Sequence, residues 1–134
     1  MTGRAFFDTN VLIYSLDAKE PRGRRAEQLL LQGGVVSVQV LNEFFDVARR
    51  KIRMSWDDLR QALREIQIFC PDPVPITTDI HQHALILAEG HDIRIYDALI
   101  LASALGTNCT TLYTEDLQDG QVIDGRLTIR NPFK

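Results

Sequence analysis

The chain has few of the features that mark secreted or membrane proteins. Its two cysteines, Cys70 and Cys109, are far apart and form no metal or redox motif, which favours a reducing cytoplasm. No apolar run approaches the roughly 20 residues that span a bilayer. The N-terminus enters the first predicted strand without an apolar signal region, so we expect neither a membrane anchor nor a secretion signal.

Histidine and net positive charge are also scarce. The three histidines, His81, His83 and His91, lie on or just after one predicted helix, and we interpret them as surface or structural residues. The net charge of −3 argues only weakly against a nucleic-acid partner, because local basic faces set phosphate affinity. Solvated helix faces are the alternative interpretation of those basic stretches. The candidate phosphate-binding residues are Arg22, Arg24, Arg25 and Arg49.

The remaining composition is that of an ordinary globular protein. The 134 residues include 45% apolar and 25% charged side chains, without a linker or repeat, so we expect one domain over residues 1–134. Strand and helix patterns alternate, which predicts a three-layer α/β/α fold with a mostly parallel sheet and helices on both faces. Predicted strands are 4–8, 35–37, 110–113 and 127–130, with 74–77 as an edge strand or loop because of Pro75. Predicted helices are 10–16, 21–32, 38–53, 55–66, 78–90 and 97–105.

Four acids occupy comparable places in this pattern. Asp8 ends the first strand, Asp116 follows another, and Glu43 and Asp97 lie near the starts of helices. Each has a structural alternative: Asp8 as a helix N-cap, Glu43 in an ion pair with Arg50, Asp97 as a first-turn acid, and Asp116 in a turn. Open α/β sheets bind ligands at the carboxyl ends of their strands. We therefore expect the four acids to converge there.

Converging carboxylates repel one another unless a cation lies between them. Oxygen ligands without a histidine or cysteine cluster favour Mg²⁺ or Mn²⁺ over zinc. We expect Asp8 and Asp97 as the main ligands, with Asp116 and Glu43 completing the site or holding waters. Glu115 and Asp119 are close competitors for the place of Asp116.

Two other Asp-based families fit the sequence less well. Haloacid-dehalogenase-type phosphatases need a second Asp two residues after the first, where this chain has Asn10. Receiver-type phosphoacceptor domains need paired acids after the first strand and a late lysine. Asp8 stands alone here, and the only lysine after Lys51 is Lys134 at the C-terminus.

The ordered motifs resemble the PIN-domain family, and within it the small VapC-type toxin ribonucleases. The matching segments are Phe7-Asp8-Thr9-Asn10-Val11-Leu12, Ser37 with Asn42-Glu43-Phe44, Tyr96-Asp97-Ala98-Leu99-Ile100-Leu101-Ala102-Ser103-Ala104, and Leu112-Tyr113-Thr114-Glu115-Asp116-Leu117. The resemblance implies a metal-dependent endoribonuclease whose acidic site is Asp8, Glu43, Asp97 and Asp116. It also implies that Asn10 and Thr114 orient these acids, and that Mg²⁺ or Mn²⁺ activates a water that attacks phosphorus.

The resemblance further implies partners. Such toxins are usually cytoplasmic homodimers held inactive by a cognate antitoxin, which packs an apolar helix in a groove. Leu29 to Leu31, with Phe44 and Phe45, are candidates for that groove, although ordinary core is the simpler interpretation of the two phenylalanines. An RNA-processing nuclease without an antitoxin and a non-catalytic RNA- or protein-binding module remain the alternatives.

Overall fold

A computed structural model describes residues 3–134, and Met1 and Thr2, the start of the segment expected to lack a signal, lie outside it. The strands of the described part are β1 (Arg4–Phe7), β2 (Cys109–Tyr113), β3 (Val122–Ile123) and β4 (Leu127–Arg130). The helices are α1 (Thr9–Tyr14), α2 (Pro21–Leu31), α3 (Val38–Arg50), α4 (Trp56–Phe69), α5 (Thr78–His91) and α6 (Ile95–Gly106).

The sheet has the order β1-β2-β4-β3. β2 runs parallel to both β1 and β4, whereas β3 pairs antiparallel with β4. α5 packs against α6, which packs against β2, while α1 packs against α2 and α3. The predicted α/β/α architecture with a mostly parallel sheet is therefore confirmed. β1 and β2 are neighbours, so their carboxyl ends lie side by side.

The predicted strand at 35–37 is wrong as a strand. Val35 and Ser37 each make a single parallel bridge, to Phe6 and Val74 respectively. The segment is short because the Ser37 hydroxyl already caps α3, accepting a hydrogen bond from the Val40 N–H at 3.2 Å. The edge strand proposed at 74–77 is likewise reduced to the bridge at Val74. These bridges still place the start of α3 beside β1.

Several helix boundaries also differ from the predictions. α3 ends at Arg50 rather than Arg53, because Arg53 adopts a left-handed conformation with φ of 61° that does not continue a helix. α5 is capped by Thr77 rather than Thr78, and it ends at His91 before the left-handed Asp92. α6 begins at Ile95, two residues before Asp97, and β3 was not predicted. The helix start at Ser55 is confirmed, since its hydroxyl accepts from the Asp58 N–H at 3.1 Å.

The limits set by composition can be compared with the structure. Within residues 3–134, no helix is long and apolar enough to cross a membrane. Both cysteines are buried and unbonded to one another, and burial raises the pKa of the Cys70 thiol to about 12. These thiols are core residues, not reactive groups.

A pair of glycines tests the packing of α2. A Cβ on Gly23, in the first turn of α2, would overlap the backbone carbonyl of Asp17, whereas one on Gly90 in α5 meets nothing within 4 Å. We expect Gly23→Ala to lower the free energy of unfolding by about 1–3 kcal/mol through overpacking. Gly90→Ala should raise it by about 0.5–1 kcal/mol through helix propensity. Urea unfolding of both variants measures this, and equal effects would contradict the packing of α2 against residues 14–17.

Candidate active site

The carboxyl ends of β1 and β2 bring Asp8 and Thr114 together. Phe7 pairs with Tyr113, and the Asp8 N–H donates to the Tyr113 carbonyl at 3.0 Å, so the next residue of each strand is adjacent. The Thr114 hydroxyl donates to Asp8 Oδ2 at 2.7 Å, and the Thr9 N–H donates to Oδ1 at 2.7 Å. Asp8 is therefore both the N-cap of α1 and a carboxylate fixed at both oxygens.

Asp8 carries its charge at a cost. The residue is only 6% exposed, and burial raises the pKa of its carboxyl from 3.8 to about 6. The hydrogen bonds from Thr114 and from the Thr9 N–H lower that pKa, while the charges of Asp116 and Glu43 raise it. Two of the three other predicted acids are therefore close enough to Asp8 to act on its charge. A cation beside Asp8 would lower the pKa of its carboxyl again.

Thr114 connects Asp8 to the loop after β2. Its fully buried hydroxyl accepts hydrogen bonds from Asn10 Nδ2 at 3.3 Å and from the Asp116 N–H at 3.1 Å. Asn10 Nδ2 also donates to Asp116 Oδ2 at 3.2 Å. Asn10 and Thr114 together therefore link the Asp8 carboxylate to Asp116.

Glu43 reaches the same region from α3. Its Oε2 accepts from the Thr9 hydroxyl at 3.0 Å, and its Oε1 accepts from Gln39 Nε2 at 2.9 Å. The suggested ion pair with Arg50 is wrong, because Arg50 instead contacts Asp46 at 3.4 Å on the exposed side of α3. Since Thr9 follows Asp8 directly, Glu43 is tied to the start of α1.

Asp97 lies in the first turn of α6 and is 24% exposed in its side chain. It contacts a cation, Arg94, whose Nε lies 3.6 Å from Asp97 Oδ2. No hydrogen bond in the described part of the chain joins Asp97 to Asp8, Glu43 or Asp116. Its neighbours Arg94 and Tyr96 line the same cleft as Glu43 and Asp116, whereas Asp97 itself is not among the lining residues and lies beside the cleft in the first turn of α6.

The structure separates the three acids of the loop after β2. Asp116 is exposed and faces Asn10. Glu115 accepts the Tyr14 hydroxyl at 3.0 Å and lies on the wall of the cleft. Asp119 accepts the Asn131 N–H at 2.8 Å and fastens the loop to the C-terminal segment. By geometry, Asp116 is the acid of this loop that joins the group around Asp8.

An open cleft of about 1000 Å³ runs between α1, α3, α6 and the loop after β2. Its lining combines acids, cations and aromatic or apolar side chains, which suits an extended polar ligand better than a small apolar one. The lining residues are Thr9, Asn10, Ile13, Tyr14, Gln39, Asn42, Glu43, Asp46, Val47, Lys51, Ile76, Arg94, Tyr96, Leu99, Glu115 and Asp116.

Comparison with known families agrees with this arrangement. The model of the PIN domain matches residues 5–118, which is most of the chain and includes all four acids. The chain belongs to the PIN-domain family. A search of curated protein sequences finds no significant match.

Solved structures share the fold of this PIN domain along nearly its whole length. A toxin–antitoxin complex from Klebsiella pneumoniae is 26% identical, with a TM-score of 0.71 over 97% of this chain and 98% of that chain. VapC20 from Mycobacterium tuberculosis, a sarcin–ricin loop cleaving toxin, is 20% identical, with a TM-score of 0.65 over 84% and 89% of the two chains. FitAcB from Neisseria gonorrhoeae is 20% identical, with a TM-score of 0.62 over 96% and 98%.

The donor set of this PIN domain fits a hydrated divalent ion better than a tightly enclosed one. Within residues 3–134, no three His, Cys, Asp or Glu side chains are close enough together to enclose an ion. Mg²⁺, however, usually keeps several waters and binds through one or two carboxylates. Asn10 Oδ1 and Gln39 Oε1, both on cleft residues, are buried without a hydrogen-bond partner in the described part of the chain. Oxygen atoms of this kind suit waters around a hard cation.

The candidate phosphate-binding arginines are in different environments. Arg22 lies over the Tyr14 ring, with its guanidinium carbon 5.6 Å from the ring centre, and so borders the cleft. Arg24 donates to the Lys19 carbonyl at 3.2 Å, and Arg25 is exposed on α2. Arg49 is held away from the cleft, stacked 4.5 Å from the Trp56 ring centre and bonded to the Met54 carbonyl.

Three polar contacts of the site were missed by the sequence interpretation. Thr9 and Gln39 hold Glu43, and Tyr14 holds Glu115. Gln39 had a detectable signal, because it lies four residues before Glu43 and therefore on the same helix face. Thr9 and Tyr14 act across 34 and 101 residues of sequence, which local spacing does not reveal. His81 and His91 are exposed and His83 is half-buried, on α5.

The raised pKa of Asp8 predicts an unusual dependence of stability on pH. In metal-free buffer the wild-type chain should lose stability as pH rises from 3.8 to about 6, because the folded state resists ionisation of Asp8. At roughly 1.4 kcal/mol per pKa unit, the loss is about 3 kcal/mol above that range. Asp8→Asn should therefore be more stable than wild type near about pH 8, by less than this because Thr114 loses its acceptor.

Urea unfolding with a chelator at about pH 8 and about pH 3.5 measures the effect. The advantage of Asp8→Asn should shrink at the lower pH, where the wild-type carboxyl is neutral too. For Asp119→Asn, which lies outside the acidic group, the difference in stability from wild type should not change with pH in this way. A larger advantage of Asp8→Asn at low pH would contradict the burial cost assigned to Asp8.

Proposed function

We propose that this PIN domain is a Mg²⁺- or Mn²⁺-dependent endoribonuclease that hydrolyses RNA phosphodiester bonds. The observation that carries the proposal is that Glu43 and Asp116 line one open cleft and lie close enough to the buried Asp8 to raise its pKa, with Asp97 on the helix turn beside that cleft. Maintaining a buried, charged Asp8 costs stability, and proteins concentrate such perturbed acids at functional sites. A non-catalytic PIN-like binding module, the alternative, would have no use for a buried carboxylate that lowers stability when it ionises.

The residues have distinct roles in the proposed reaction. Asp8, Asp97 and Asp116 would hold the ion, in part through its bound waters, and Glu43, fixed by Thr9 and Gln39, would hold or deprotonate a water. A bound Mg²⁺ or Mn²⁺ lowers the pKa of its water and stabilises charge on the phosphate. Asn10 and Thr114 would keep Asp8 and Asp116 oriented when no cation is bound to offset the repulsion between these carboxylates. No nucleophilic side chain is required, because water supplies the attacking oxygen.

The proposed substrate class is RNA with accessible, single-stranded or looped segments. RNA is recognised mainly through shape, backbone contacts and splayed bases. Lys51 and Arg94 line the cleft, and Arg22 borders it through Tyr14, so cations surround the acidic group. We assign backbone contact to Arg22, with Arg24 and Arg25 along the same helix. Arg49 is a weaker candidate for contact with the RNA backbone, because its guanidinium already stacks on Trp56 and donates to the Met54 carbonyl.

The proposed biological role is that of a toxin controlled by a protein antitoxin. VapC20, which shares the fold, is a sarcin–ricin loop cleaving toxin, and the Klebsiella structure is a toxin–antitoxin complex. A homodimer in the cytoplasm belongs to the same proposal.

We propose that an antitoxin helix would bind a groove that includes Leu30 and Leu31, as first suggested, but not Leu29, Phe44 or Phe45. Phe44 is fully buried core, and Phe45 packs against Trp56 with ring centres 5.6 Å apart. Leu31, which is 59% exposed, instead borders an apolar groove of about 450 Å³ between α1, α2 and α4. Its lining residues are Ser15, Leu16, Glu27, Leu30, Leu31, Ala62, Glu65, Ile66, Ile68 and Phe69. Glu27 and Glu65 would favour an apolar helix flanked by basic side chains.

Metal-dependent RNA cleavage tests the proposed activity directly. Purified protein free of antitoxin would be incubated with stem–loop RNAs and Mg²⁺, Mn²⁺ or chelator. Asp8→Asn and Asp97→Asn should each reduce the cleavage rate at least about 100-fold, since even outer-shell changes cost about 10–100-fold. Asp79→Asn is the matched control, because Asp79 is the first-turn acid of α5, exposed and outside the cleft.

The opposite results have clear meanings. Absence of cleavage with any divalent ion, or full activity in both Asp8→Asn and Asp97→Asn, would refute the nuclease assignment. Stabilisation by divalent ions without cleavage would instead favour the binding-module alternative.

Titration with the product of a small adjacent reading frame, the candidate antitoxin, would test the groove. Leu31→Glu places a charge among apolar side chains and beside Glu27 and Glu65, so the affinity for antitoxin should fall at least about tenfold, equivalent to about 1.4 kcal/mol. Ile52→Glu is the control, because Ile52 is 45% exposed and outside the groove. Equal affinities of the two variants, measured by titration calorimetry, would place the antitoxin elsewhere.

A further inference from the structure

Gln39 joins two elements of the acidic site. The residue is only 7% exposed, and Nε2 donates to Glu43 Oε1 at 2.9 Å and to the Tyr96 carbonyl at 3.1 Å. The first bond lies within α3, whereas the second crosses to α6 at the residue before Asp97. One amide group therefore connects the Glu43 carboxylate to the helix turn that carries Asp97.

The orientation of this amide is determined by its partners. Both groups that face Nε2 are acceptors, so an exchanged amide would set an oxygen against a carboxylate and a carbonyl. Gln39 Oε1 is thereby left buried and without a hydrogen-bond partner among the described residues. A buried unsatisfied acceptor is costly, and it calls for a donor that binds there.

Asn10 presents the same arrangement on another side of the cleft. Its Nδ2 donates to Asp116 and Thr114, and its Oδ1 is also buried without a partner in residues 3–134. Both side chains thus use their amide N–H groups in hydrogen bonds around the acids, and in both the amide oxygen can still accept a hydrogen bond. Water is the donor that fits both, since acids cannot donate when ionised.

We propose that Gln39 is a positioning residue of the metal site, acting on both Glu43 and Asp97. Its amide sets the separation between the Glu43 carboxylate and the first turn of α6. Its free oxygen accepts a hydrogen bond from a water bound at the site. The inference rests on the proposed metal-dependent function, but it concerns ion binding and so can be measured apart from cleavage.

An ordinary helix contact would explain only part of this geometry. Gln61 and Glu65 on α4 form the same pair four residues apart, with Nε2 3.3 Å from Glu65 Oε1. That pair is exposed, and Gln61 has no second bond to another helix in the described part of the chain. Exposed pairs of this kind contribute only about 0.2–0.5 kcal/mol. Gln39 differs by its burial and by the bond to Tyr96.

The test compares Gln39→Met with Gln61→Met in the full chain. Methionine keeps the size and flexibility of glutamine but removes both polar ends. Electron paramagnetic resonance titration with Mn²⁺ should show about 10–100-fold weaker binding for Gln39→Met, the range found for residues that orient ligands. Gln61→Met should bind Mn²⁺ like wild type.

Kinetics and hydrogen exchange distinguish positioning from general stability. In Gln39→Met, kcat at fixed Mn²⁺ should fall by a similar factor while KM for RNA stays within about twofold, because the residue acts on the site and not on the RNA backbone. Amides of residues 98–100, the first hydrogen-bonded amides of α6, should exchange faster because the bond from Gln39 to the Tyr96 carbonyl is lost. Gln39→Asn retains polarity, so it serves if the Met variant does not fold, and it should also weaken Mn²⁺ binding because it is too short to reach both partners.

Gln39→Met and Gln39→Asn that bind Mn²⁺ as tightly as Gln61→Met would overturn the inference, even if they were less stable. The same result with normal RNA cleavage leaves the proposed function intact. Weaker Mn²⁺ binding in a chain that cuts no RNA supports the role of Gln39 and refutes the nuclease. A wild-type chain that binds no Mn²⁺ refutes both.

Discussion

The hydrogen bond between Thr114 and Asp8 is the interaction on which the site depends. It joins the residues that follow two neighbouring parallel strands, and its length is 2.7 Å in a fully buried position. Through the same hydroxyl, Asn10 and the Asp116 N–H are attached to Asp8. The pairing of Phe7 with Tyr113 places Asp8 beside Thr114, and the hydrogen bond from the Thr114 hydroxyl then fixes the orientation of the Asp8 carboxylate. A residue with only a donor or only an acceptor at 114 would not make these contacts together.

The acidic site is assembled from polar side chains that separate the acids. Thr9, Asn10, Gln39 and Thr114 each contact one or two carboxylates, so every acid except Asp97 is oriented by a neutral partner. Asp97 is oriented by Arg94, an exposed cation that a phosphate group can recruit. Neutral partners preserve the total negative charge, whereas lysine or arginine at these places would compensate it permanently. The site therefore keeps the negative charge that the proposed divalent ion would neutralise.

The amino-acid pattern was sufficient for the fold and for the sheet edge at which Asp8 lies, but not for the contacts among the candidate acids. Alternating apolar segments and the position of Asp8 predicted a parallel-rich α/β fold, because each strand and helix carries its own local period. A strand was predicted at 35–37 because two consecutive valines favour extended backbone. The structure has only single bridges at Val35 and Ser37, because Ser37 already caps α3. β3 was missed because two residues carry no period. The partner of Glu43 was misjudged because Arg50 shares its helix, while Asp46 lies closer to Arg50.

The choice among Asp116, Glu115 and Asp119 shows why such relations need coordinates. All three lie within five residues of the same loop, and each is hydrophilic, so sequence spacing does not rank them. Their partners are Asn10 and Tyr14, near opposite ends of α1, and Asn131 in the C-terminal segment. Only the partner of Asp116 also touches Thr114, and only that acid raises the pKa of Asp8 among the three. Side-chain specificity in this site is consequently a property of the tertiary contacts, while the fold that brings them together is a property of local pattern.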